Sequence, residues 1–207
     1  MAREPGTIRN SLTGFVLAGG ASRRMGRDKA QIPWGRGTLL IHGVERMKRV
    51  MREVFVVGTV AQESVPVPVL VDKLPGLGPL AGVHAALSHS VTDWNLILAV
   101  DLPLVPPKLL AWIADLQADS SAVAIVLRVK SQLQPLCAAY HRGLLPDVEK
   151  ALANRELSIH RLLERLSTRI IEEDQLIASG FVPEMLLNVN TPEDMERARA
   201  VAKTMYG

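Results

Sequence analysis

Short runs of branched apolar residues recur along this chain, separated by segments of helical period. That rhythm leaves little choice but a layered strand-and-helix fold. Residues 13–18 (Thr, Gly, Phe, Val, Leu, Ala) run directly into a glycine pair, the profile of a buried parallel strand ending in a loop. Further strands are expected over 54–57, 67–71, 95–100 and 122–129, with helices over 38–52, 79–90 and 106–117. In the first of these helices Leu39, Leu40, Val44, Met47 and Val50 or Met51 recur near helical spacing. Arg46, Lys48, Arg49 and Arg52 fall mostly elsewhere. The alternation predicts an α/β fold: an open, mainly parallel, twisted sheet with helices on both faces, joined by right-handed crossovers. The second half is less regular, with strands expected over 133–140, 169–172 and 185–189 and helices over 144–154 and 159–166. A last helix opens at Thr191, Pro192, Glu193 and Asp194, where an early proline and acids suit unsatisfied amides and the helix dipole. With 207 residues, no internal repeat and no linker-like stretch, a single domain spanning 1–207 is expected.

Composition narrows the function classes. Hydrophobic residues make up 48% and charged residues 22%, which argues against disorder and fibres. No apolar run reaches the roughly eighteen residues of a membrane span, and the first residues lack the apolar core of a secretory signal, so a cytoplasmic protein without membrane contact is expected. The one cysteine, Cys137, forbids an internal disulfide and any cysteine-based zinc or iron–sulfur site. His42, His84, His89, His141 and His160 share no metal-binding spacing. Charge is uneven: residues 1–53 carry 11 Lys/Arg against 4 Asp/Glu, and the remainder 13 against 17. A basic first quarter points to an anionic ligand at the N-terminal end of the fold. Eight scattered aromatic residues form no stacking platform, so a compact phosphate ligand fits better than nucleic acid.

The densest signal is Leu17, Ala18, Gly19, Gly20, Ala21, Ser22, Arg23, Arg24, Met25, Gly26, Arg27, Asp28, Lys29, Ala30. Adjacent glycines let backbone amides turn toward a phosphate, while the guanidiniums and the Lys29 ammonium supply matching charge. This is the build of a triphosphate cradle. It is neither the dinucleotide fingerprint nor the P-loop, because Gly20 and Gly26 are separated by five residues and Ala30 follows Lys29. Asp101 closes the apolar run 96–100, so its carboxylate is expected at the carboxyl edge of the sheet, where ligands bind. A hard oxygen ligand there suits Mg²⁺.

The stretch from Leu17 to Lys29 resembles the signature of nucleotidyltransferases with an open Rossmann-like sheet, most closely the molybdenum cofactor guanylyltransferases. Gly78-Pro79-Leu80-Ala81-Gly82, Asp101-Leu102-Pro103 and Asn188-Val189-Asn190-Thr191-Pro192-Glu193-Asp194 match the same family in order, and Gln134-Pro135-Leu136 with Ala139-Tyr140 more weakly. The resemblance implies that Leu17, Ala18, Gly19, Gly20, Lys29, Asp72, Gly78, Gly82 and Asp101 bind the nucleotide. It further implies that Lys29, Asp101 and Arg23 act in catalysis, Arg23 with Arg24 on the β- and γ-phosphates. Asp101 is then the Mg²⁺ ligand, and Asn188 and Asn190 contact the second substrate. Plain readings stand beside these: Asp72 as a turn residue, Gly78 to Gly82 as helix punctuation, Asn190 or Thr191 as cap of the last helix. Two positions depart from the family pattern, Val100 where cysteine is frequent and Gly58 where some members carry asparagine.

The activity so implied is transfer of GMP from GTP to the terminal phosphate of molybdenum-bound molybdopterin, with release of pyrophosphate. Its partners are GTP, that pterin and, transiently, enzymes that make or receive the cofactor. Cytidylyl transfer to the pterin, nucleotidyl transfer to a sugar phosphate, and a noncatalytic GTP-binding delivery module are the rival readings. Residues 131–173 are the candidate contact region for the pterin.

Overall fold

The computed structural model describes residues 8–19, 29–58, 65–72, 74 and 76–206. In chain order these form β1 (Arg9–Leu17), a small hairpin of β2 (Pro33–Trp34) and β3 (Gly37–Thr38), α1 (Leu39–Lys48), β4 (Met51–Val57), β5 (Val69–Leu70), α2 (Pro79–His89), β6 (Trp94–Ala99), α3 (Pro107–Asp115), β7 (Ala124–Val129), β8 (Gln132–His141), α4 (Leu145–Ala153), α5 (Ile159–Glu164), β9 (Thr168–Ile171), α6 (Glu173–Ala178) and α7 (Pro192–Tyr206). Seven strands make one sheet in the order β5-β4-β1-β6-β8-β7-β9. Only β8 runs against its neighbours; the other pairings are parallel.

Period-two alternation explains how the sheet is covered on both sides. Leu12 and Val16 of β1 and Leu96 and Leu98 of β6 face a core shared with Leu40, Val44 and Met47 of α1 and Leu109, Leu110 and Ile113 of α3. Phe15, Leu17 and Ile97 point the other way, against Leu80, Val83 and Leu87 of α2 and Val148 of α4. α1 crosses β1 at Gly14, where an added Cβ would stand 2.6 Å from Met47 Cγ. Gly14→Val should therefore cost about 1–3 kcal/mol by overpacking, seen as a fall of several degrees in Tm.

The expected α/β sheet is present, with three local corrections. α1 stops at Lys48, not at residue 52, because Val50 and Met51 are claimed by the sheet: Arg9 N–H donates to Val50 O and Met51 opens the ladder beside β1. Arg46, grouped by its charge with the basic residues off the apolar stripe of that helix, is buried. It lies seven residues after Leu39, on the same stripe. Residues 185–189 form no strand; Pro183–Leu186 make a 3₁₀ turn, and the Val189 N–H goes to Asp101 O instead of a ladder.

The register of β8 against β7 shifts partway along the pair. Between Val126 and Arg128 β7 advances two residues, while β8 uses five between its partners Ala138 and Leu133. Gln134, Pro135 and Leu136 occupy the bulge, where proline's missing N–H costs no ladder bond. Tyr140 Oη donates to Pro135 O at 2.7 Å and anchors it.

Candidate active site

Parallel strands in close register end together. Leu17 stands level with Val57 and with Ala99, and Val57 with Leu70. Ala18 and Gly19, Gly58, Asp72 and Asp101 consequently follow the ends of neighbouring strands along one carboxyl edge, the usual ligand edge of open parallel sheets. Gly20, Arg23 and Arg24, expected to grip phosphates here, lie outside the described residues. Gly58 has φ +153°, and a Cβ on it would come within 3.1 Å of Ala18 C and Gly19 N. Glycine at this position thus lets the end of β4 lie against the start of the glycine-rich loop after β1, and an asparagine could not be fitted without moving that backbone.

Lys29 and Asp101 meet, although 72 residues separate them in sequence. Lys29 Nζ lies 3.4 Å from Asp101 Oδ2 and donates to Asn190 Oδ1 at 2.6 Å. Both side chains of the ion pair are about four-fifths buried. Asp101 Oδ1 is buried and has no hydrogen-bond partner among the described residues. Burial pushes the Asp101 carboxyl above the usual carboxylate range, and the Lys29 ammonium only partly pulls it back. A half-compensated carboxylate with one orphaned oxygen at the ligand edge is the donor a divalent cation needs. No three His, Cys, Asp or Glu side chains among the described residues converge on a metal position, so such a cation would complete its shell with phosphate oxygens and water.

The plain reading of the last helix is resolved by its cap. Thr191 Oγ1 accepts from the Asp194 N–H, and Asp194 Oδ2 accepts from the N–H groups of Asn190 and Thr191. This reciprocal cap uses Asn190's backbone and leaves its side chain to Lys29. Asn188, two residues earlier, lines a cleft of about 1010 Å³ together with Pro79, Leu102, Gln134, Leu136 and Ser158. The cleft thus runs from the segment after Asp101 and the start of α2 to the bulge of β8. The two asparagines reach these places from irregular backbone, not from a strand face.

Asp72 makes the turn that its plain reading anticipates, since its Oδ1 accepts from Leu74 N–H at 2.8 Å. Gly78 caps α2 with φ 76° and ψ −166°, a conformation nearly reserved for glycine, and α2's free amides begin there. Gly82 is used differently: a Cβ would lie 3.2 Å from Leu17 Cδ1, so the missing side chain sets α2 close on β1. Periodicity passed over three side chains that reach the segment after Asp101: His42, Arg46 and Tyr206. The available signal was helical spacing from Leu39, with Arg46 on the buried stripe of α1 and His42 beside it, and for Tyr206 only its place at the end of α7.

Comparison with known proteins agrees with this geometry. The sequence profile of the MobA-like NTP transferase domain matches residues 14–170. The chain is 35% identical over 188 residues to a probable molybdenum cofactor guanylyltransferase of Carboxydothermus hydrogenoformans, covering 90% of this chain and 94% of the relative. A second protein of that description, from Pelotomaculum thermopropionicum, is 33% identical over 193 residues, covering 92% and 93%. The crystal structure of molybdopterin-guanine dinucleotide biosynthesis protein A from Archaeoglobus fulgidus superposes with a TM-score of 0.80 at 24% identity, over 93% of this chain and all of that one. Among the described residues no helix is long and apolar enough to cross a membrane.

Proposed function

The chain belongs to the MobA-like NTP transferase family and is a nucleotidyltransferase, and we propose on that premise that it transfers GMP from GTP to molybdenum-bound molybdopterin. A terminal phosphate oxygen of the pterin attacks the α-phosphorus of GTP; a P–O–P bond forms, the bond to the β-phosphate breaks, and pyrophosphate leaves. The attacking phosphate is already ionised at neutral pH, so the chain needs no nucleophile and no general base. Its task is to hold two mutually repelling anions in line and to balance their charge.

The observation that carries this reading is the convergence of Lys29, Asp101 and Asn190 at one strand edge, with a buried oxygen of Asp101 unpaired. Lys29 compensates Asp101 in the absence of nucleotide and turns to the α-phosphate when GTP binds. Asp101 would hold Mg²⁺, which would supply charge neutralisation for the leaving pyrophosphate. Leu17, Ala18, Gly19 and Gly20, with Gly78 and the first amides of α2, cradle the nucleotide, and Asp72 contacts it from the end of β5. Arg23 and Arg24 take the β- and γ-phosphates, for which Arg offers a bidentate fork. The wide cleft beyond Asn188 receives the pterin within the 131–173 region. The setting proposed is the cytoplasm, with transient delivery of product to receiving enzymes.

Pyrophosphate release from GTP and from CTP, in Mg²⁺, with and without molybdenum-loaded molybdopterin, tests this directly. Release is expected only with the acceptor, and at least about tenfold faster from GTP. Preference for CTP would place the chain with the cytidylyl enzymes, and GTP binding without release would make it a delivery module.

A further inference from the structure

Asp101 belongs to a segment whose backbone is held to an unusual degree by side chains from elsewhere. Every carbonyl from residue 101 to residue 105 accepts a hydrogen bond. Asp101 O takes the Val189 N–H at 2.8 Å. Leu102 O and Val105 O both accept from Arg46 Nη1, at 2.9 and 2.6 Å. Pro103 O faces His42 Nε2 at 3.1 Å, and Leu104 O accepts from Tyr206 Oη at 2.8 Å. A carbonyl can only accept, so His42 must carry its proton on Nε2. Three of these donors come from α1 and α7, elements that contribute no group to the nucleotide or pterin contacts assigned above.

The donors are placed at a cost. Arg46 is 5% exposed, and no ion pair among the described residues involves it. Its Nη2 is buried without a partner, and burial draws the guanidinium pKa down to about 10. A cavity of about 200 Å³ borders the same segment, lined by Trp34, His42, Arg46, Pro103, Leu104 and Tyr206 among others. Leu102, Leu104 and Val105 are themselves buried in the core, so beside this cavity the hydrogen bonds add to side-chain packing in holding the segment. Pro103 fixes φ within it and Pro106 just after it.

We propose that His42, Arg46 and Tyr206 are positioning residues that cage the 101–105 backbone and so present the Asp101 carboxylate, preformed, to the cation of the bound nucleotide. This rests on the assignment of Asp101 as cation ligand, and the test separates failure of one from failure of the other. The readout is the metal linkage of GTP binding: the ratio of GTP dissociation constants measured by calorimetry in EDTA and in Mg²⁺, with no acceptor present and hence no turnover. Tyr206→Phe and His42→Leu should each shrink that ratio by about threefold to tenfold, as for the loss of one hydrogen bond. Arg46→Met should shrink it further, with His42→Gln, which keeps an N–H donor, recovering part of the loss seen in His42→Leu. Affinity in EDTA should stay within about twofold of the wild type in all of them. Tyr206 is half exposed on the last helix, so its variant keeps the test decisive even if Arg46→Met fails to fold. If Asp101→Asn abolishes the linkage while the cage variants retain it, or lose affinity equally with and without metal, the cage is only structural and the proposal fails. If Asp101→Asn itself leaves the linkage intact, Asp101 is not the ligand and both readings fall.

Discussion

Asp101→Asn is expected to lower turnover by at least about 10²–10³-fold while leaving Tm equal to or above that of the wild type. Loss of activity and gain of stability follow from one fact. The carboxylate is buried, only partly compensated by Lys29, and has an oxygen with no partner, so ionising it in the folded state costs free energy that the unfolded chain does not lose. Its pKa is consequently raised on folding. The sign is then fixed: above the unfolded carboxylate range the folded state binds more protons, so stability attributable to this group declines as pH rises through its folded pKa. An amide has no such dependence. The Tm advantage of Asp101→Asn should be largest at neutral pH and close below the ordinary carboxylate range; a variant clearly less stable than the wild type at neutral pH would show that the ion pair stabilises the fold.

Lys29→Met should lower kcat by roughly 10²–10³-fold, the scale for removing one preorganised charge donor at a reacting phosphate. It should also displace the pH profile. Lys29 is the group that pulls the Asp101 pKa down, so without it Asp101 ionises only at higher pH, and the acid limb of kcat/KM moves upward. Lys29→Arg keeps the charge and should leave that limb near its wild-type position even if kcat suffers. An unmoved limb in Lys29→Met would mean that the two groups are not coupled in the working enzyme.

How much of this was legible in the sequence follows from which interactions are local. The buried strands β1, β6 and β7 announced themselves as branched apolar runs because both their faces are covered. That Lys29 and Asp101 share one site was implied by the family resemblance, with Lys29 at the end of the glycine-rich loop and Asp101 at the end of a buried strand. The strand expected over 185–189 was a misreading of apolar content: Met185, Leu186 and Leu187 serve a turn after Pro183, and among the described residues they have no ladder partner. The β2–β3 hairpin was missed because its strands are two residues each, too short for any alternation to show. Arg46 was misplaced because charge argued for solvent, whereas its partners are carbonyls 56 and 59 residues away. Long-range polar contacts to backbone leave no period in a sequence.

The most direct measurement is a crystal structure with Mg²⁺ and a GTP analogue whose α–β bridge cannot be cleaved. Expected is a cation on Asp101 Oδ1, with Lys29 Nζ moved from Asp101 to the α-phosphate and the guanosine held along the edge between Gly19 and Gly78. A nucleotide bound elsewhere on the molecule, with the Lys29–Asp101 pair undisturbed, would contradict the assignment of this edge as the site of transfer.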